Sequence, residues 1–127
     1  MADSEDLTLE RIVNTLVRQY IVLVSACAML PIPITLPKQG NGTFASAETV
    51  PAVRRLVEIA GEQPMPEENQ ADLFTAALFW LTAADMVELL IAIGWNEIRA
   101  FQALAALGVS GDALADLGIW ILTQEKD

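Results

Sequence analysis

Between Arg18 and Lys38 the chain runs through QYIVLVSACAMLPIPITLP, Gln19 to Pro37, without a single charge. A stretch this apolar has to be withdrawn from water. Its prolines, Pro31, Pro33 and Pro37, prevent one helix from doing so end to end, because proline lacks an N–H and clashes with the preceding turn. The segment therefore predicts an apolar helix ending near Leu30, followed by Pro31 to Pro37, in which Ile32, Ile34 and Leu36 alternate with period two. Those seven residues form either an extended arm that presents its isoleucines to a groove or sheet edge or a tight buried loop within one subunit. Upstream, Leu9, Ile12, Val13, Leu16, Val17, Tyr20, Ile21 and Val24 make one continuous stripe at helical spacing, with Thr8 placed to cap it. The helix begins amphipathic and turns apolar on every side after Gln19, as a helix does on passing from a surface into a core or a bilayer.

The rest of the chain reads as helices punctuated by turns. Lys38 to Ser46 holds Gly40 and Gly42 around Asn41, the signal of a turn or short hairpin. A second helix opens near Val50 or Pro51, capped by Ser46 or Thr49, and closes before Gly61; Pro64 and Pro66 mark the next connector. From Ala71 onward apolar residues surround the helix axis, and Thr82 followed by Asp85 predicts a fresh helix start. Gly94-Trp95-Asn96 and Gly108-Val109-Ser110 each line up a helix-stopping glycine, an apolar residue and an N-cap. Short helices are thus expected near 83–93, 97–107 and 111–124. The expected fold is all-α, a compact bundle of about five to six helices with a long N-terminal apolar helix and a proline-rich extended arm. Residues 1–49 would supply assembly contacts and residues 50–127 the helical bundle.

Composition says where the apolar surplus goes. Hydrophobic residues make up 54% of the chain and mean hydropathy is +0.42, above the roughly 45–50% of ordinary soluble domains. A domain of this size leaves much of its surface exposed, so the surplus points to association with another copy, another subunit or a membrane. With 17 acidic against 7 basic residues, the chain repels phosphates, and nucleic acid is excluded as a partner.

The same inventory argues against catalysis. There is no histidine, which removes the commonest general base and histidine metal ligands, and the one cysteine, Cys27, can form neither an intrachain disulfide nor a metal cluster. Asp112 and Asp116, four apart on one helix face, lack the oxygen-rich loop of a calcium site and read as solvated. Asp85 and Glu88, three apart within the apolar run Leu73 to Trp95, read as the polar side of an amphipathic helix; within a bilayer they would form a functional pair. No glycine-rich phosphate loop, zinc signature or dinucleotide fingerprint is present. The expectation is a protein that is not an enzyme, with no catalytic residues, no cofactor and no metal. The acidic opening MADSEDLTLE does not match the basic start of a secretory signal, so a cytoplasmic location, or one within an assembled particle, is expected, with a membrane as the alternative.

Leu90 to Leu122 is similar to ubiquitin-associated domains. Ile93-Gly94-Trp95 takes the place of that family's Met-Gly-Phe-like turn, followed at the family's spacing by Ala100, Ala103 and Leu104 and ending in Trp120-Ile121-Leu122. Ile93 stands where methionine is usual, and Gly118 falls inside the last helix. The resemblance implies three short helices and a protein-binding surface centred on Gly94 and Trp95.

The sequence thus points to a non-enzymatic structural or assembly subunit of a larger complex, a profile that a virion or phage structural component fits. Its partners would be itself, as a homo-oligomer, and other subunits. The residues expected at the contacts are Tyr20, Ile21, Val24, Ile32, Ile34, Leu36 and Trp95. One alternative is an integral membrane or membrane-associated helical subunit, with Gln19 to Pro37 or Leu73 to Trp95 in the bilayer. The other is a soluble helical protein-binding adaptor.

Overall fold

The computed structural model describes residues 2–38 and 46–125. It is all-helical, with 85% helix and no strand among the described residues. The helices are α1 (Ala2–Ala28), α2 (Ser46–Ile59), α3 (Glu67–Ile93) and α4 (Glu97–Glu125), and a single 3-10 turn, Ala60–Glu62, closes α2. α3 is the centre: it pairs with α4 in an antiparallel hairpin and also touches α1 and α2, while α1 packs on α4 as well.

Among the described residues four α-helices stand where five to six were expected, because two of the three helix-break signals are used for other bonds. Thr82 does not cap a new helix. Its Oγ1 donates to the carbonyl of Leu78, 3.1 Å away and one turn back, and α3 runs on unbroken. Ser110 likewise turns its hydroxyl across the hairpin, donating to the carbonyl of Ala76 at 2.7 Å, so Gly108-Val109-Ser110 stays inside α4. Buried alanines, Ala76, Ala83 and Ala84 on α3 and Ala100, Ala103 and Ala106 on α4, leave the small side-chain bulk that such an approach of two helices needs. The third signal works as expected. Gly94 adopts φ 116°, its N–H returns to Leu90 at 3.2 Å, and Asn96 Oδ1 accepts from the Arg99 N–H at 2.9 Å as an N-cap.

α1 begins earlier than Thr8, whose hydroxyl donates back to Ser4 within the helix. Its stripe Ile12, Leu16, Tyr20, Leu23 and Cys27 is buried. Trp80 Nε1 donates to the Leu16 carbonyl at 2.9 Å, the Tyr20 and Trp80 rings lie 5.4 Å apart, and Gln19 Nε2 donates to the Leu107 carbonyl at 3.0 Å. A Cβ on Gly111 would sit 3.1 Å from Gln19 Nε2, so a larger residue there would press on the side chain that makes this bond.

The proline segment is extended coil that lies back on its own chain. The Ile34 N–H donates to the Cys27 carbonyl at 2.9 Å, satisfying a group left open at the end of α1. Buried Gln63 pairs with the Ile32 backbone twice, accepting from its N–H at 3.0 Å and donating to its carbonyl at 2.7 Å. The Tyr20 hydroxyl donates to the Pro37 carbonyl, and Leu36 is buried in the core. The hairpin signal around Asn41 lies outside the described residues.

Gln63 is therefore the clamp of this segment. Gln63→Ala removes both bonds and is expected to lower stability by about 1–3 kcal/mol, read as a lower urea midpoint with faster amide exchange at Ile32.

Candidate interaction surface

A three-residue turn, Gly94 to Asn96, sets the ends of α3 and α4 side by side. A helix end has fewer neighbours than a helix middle, so apolar residues placed there stay in water. Ile91, Ile93, Ile98 and Phe101 are 66%, 69%, 70% and 61% exposed, and they flank the turn at the apex of the hairpin. Trp95 is half-buried and packs against the core, as suits the apolar residue after a helix-ending glycine. The apolar character continues along the outer face of α4 through Leu104, Val109, Ile119 and Leu122. Patches of this kind on a small domain mark interaction surfaces.

The residues singled out from sequence fall into three settings. Tyr20 and Leu36 are buried in the chain's own core, whereas Val24, Ile34 and Trp95 are half-buried against it. Ile21 and Ile32 are exposed. Tyr20, Ile21 and Val24 share a shallow hollow of about 290 Å³ with Ser25 and Lys38. Ile32 and Ile34 line a separate one of about 270 Å³ beside Arg55 and Gln63. Trp95 lines neither. Ile91, Ile93, Ile98 and Phe101 were not singled out, although they flank the Gly94-Trp95 turn that was. Their signal was the position of large apolar residues on both sides of a strong helix stop.

No protein-family model, curated protein or solved structure matches this chain. The resemblance to ubiquitin-associated domains fails on the fold itself: α4 is one helix from Glu97 to Glu125, and the expected link between a second and a third short helix is absent.

α3 and α4 are both long and apolar enough to cross a membrane, with mean hydropathy of 1.9 and 1.4 over their most apolar stretches. Charge interrupts them. The longest uncharged run is Leu73 to Ala84 on α3 and Ala100 to Gly111 on α4, each about 18 Å at 1.5 Å per residue, against a hydrocarbon core of about 30 Å.

The buried polar chemistry is structural. Burial raises the Tyr20 hydroxyl pKa above its usual value, opposed by a side-chain hydrogen bond with Thr49. Burial also raises the Asp72 carboxyl, reinforced by the negative charge of Asp116, while Asn69 donates to Asp72 at 3.3 Å and works the other way. Among the described residues no group of three or more Cys, Asp or Glu is arranged to hold a metal ion.

Cys27 is fully buried, and desolvation pushes its thiol up to about 12. The native state thus keeps a proton that the unfolded chain releases above the ordinary thiol value of 9.0. Stability is present in full below that pH and falls as pH rises through it, by up to about 1.4 kcal/mol per pH unit. The native thiol is expected to resist a disulfide reagent at pH ~8, and the stability difference between wild type and Cys27→Ala is expected to shrink as pH rises from 9 to 11, read from urea midpoints.

Proposed function

We propose that this protein is a non-enzymatic assembly subunit that associates with neighbouring copies through the apolar apex of its α3–α4 hairpin. The observation that carries this reading is that Ile91, Ile93, Ile98 and Phe101, on the two helix ends that meet at the Gly94 turn, are each more than half exposed. Four large side chains held on two helix ends lose little conformational freedom on docking, which keeps the ordering cost of association low. Their burial supplies roughly 25 cal/mol per Å² of apolar surface removed from water. Closed, symmetric self-association is the usual outcome for such a patch.

The membrane reading is favoured by one observation, the hydropathy of α3 and α4. It would place Asp85 and Glu88 of α3 and Asp112 and Asp116 of α4 within the spans; all four side chains are exposed in the fold. Carboxylates facing lipid are costly, which favours association between proteins.

Light scattering in detergent-free buffer tests the choice. Wild type is expected to run as a defined oligomer, and the I98D/F101D double variant as a monomer with unchanged helical content. Wild type recovered only with detergent would put the bilayer reading first.

A further inference from the structure

We infer that the groove between α1 and α3 is the seat of a basic amphipathic helix contributed by a different protein of the same assembly, an inference that rests on the docking role proposed above. The floor of the groove includes Val13 and Leu16 of α1 and Val87 and Ile91 of α3; its volume is about 430 Å³, and the one charged residue in its lining is Glu88. Ile91 of the groove is also one of the four exposed residues that flank the hairpin turn.

The charges on the banks identify the occupant. α1 runs antiparallel to α3, since Leu16 and Tyr20 meet Trp80 while Val13, nearer the N-terminus, shares the groove with Val87 and Ile91. Glu10 and Asp6 precede Val13 by three and seven residues and therefore follow the same edge of α1. On α3, Glu88 and Asp85 precede Ala92 of the groove by four and seven residues and share its edge. Both banks are thus acidic. All four carboxylates are exposed, and among the described residues none is ion-paired.

An apolar floor between acidic banks is complementary to a helix whose apolar stripe is flanked by lysine or arginine, seated in the groove by its i, i+3, i+4 residues. A second copy of this chain is disfavoured there, because its two most apolar helices, α3 and α4, carry a single basic residue, Arg99, to set against the acidic banks. The negative charge of those banks opposes an anionic membrane surface.

Two synthetic amphipathic helices with one common leucine stripe, flanked by lysine in one and by glutamate in the other, test this on the full chain by methyl NMR titration. The lysine peptide is expected to shift the methyls of Val13, Val87 and Ile91, with affinity that falls as salt rises. E10Q/E88Q is expected to weaken it roughly fivefold to tenfold, and A92W, which fills the groove from an exposed position, to abolish it. D112N/D116N, which neutralises two carboxylates on α4, is expected to leave it unchanged. Equal binding of the glutamate peptide, shifts mapping elsewhere, or wild-type affinity in E10Q/E88Q would overturn the inference. If I98D/F101D dissociates the oligomer but the lysine peptide does not bind, the assembly role stands and the groove inference falls. If the peptide binds as described while wild type is already monomeric, the groove stands and self-association through the apex falls.

Discussion

The indole of Trp80 has to leave water and its N–H has to find an acceptor, and α1 meets both requirements. Leu16 offers its backbone carbonyl at 2.9 Å, and Tyr20 lays its ring 5.4 Å away. A helix carbonyl that accepts a side-chain N–H across an interface fixes the rotation of α1 as well as its position. With α1 so placed, Gln19 reaches the Leu107 carbonyl and ties α1 to α4. The Tyr20 hydroxyl, on the same face, holds the end of the proline segment at Pro37. One buried indole on α3 thereby organises α1, its contact with α4 and the loop that follows it.

The helical class and the ends of α3 and α4 at Gly94 were legible, because periodicity and helix-stop chemistry are local. The other two expected breaks were not. A threonine or serine after an apolar run carries the same local signature whether it caps a helix or bonds elsewhere. Thr82 bonds within its own helix and Ser110 bonds to a residue 34 positions away, a choice made by the packing of α3 on α4. The fate of Gln19 to Pro37 was half legible. The expectation that all of it leaves water does not hold within this chain, where Ile21, Val22, Met29 and Ile32 stay exposed. The partners that hold its latter part, Gln63 and the Cys27 carbonyl, are a glutamine in a distant connector and a main-chain group. The candidate site shows the same division. The Gly94-Trp95 turn could be found from its glycine, whereas the exposure of Ile91, Ile93, Ile98 and Phe101 depends on which sides of the two helix ends the other helices cover.

The apolar surplus of the chain is divided unevenly by this architecture. The stripe of α1, the inner faces of α3 and α4 and Leu36 seal one core. Of the large apolar side chains left exposed, Ile91, Ile93, Ile98 and Phe101 flank the hairpin turn, and the others are spread over α1, the segment after it, α3 and α4. Charges are divided too. Asp85 and Glu88 of α3 and Asp6 and Glu10 of α1 flank the groove beside that turn, whereas the Arg55–Glu58 pair lies on α2. An apolar surface bordered by acid gives the chain one region suited to docking and, by charge, a preference about what docks.

The most direct test of this account asks whether α1 packs on its own chain. Labelled and unlabelled chains are unfolded together, refolded in detergent-free buffer and examined for isotope-filtered NOEs between the Tyr20 and Trp80 rings. The account predicts contacts within each chain and none between labelled and unlabelled partners. Strong filtered NOEs between the two would mean that α1 is exchanged between subunits, and the bundle described here would then be assembled from two chains.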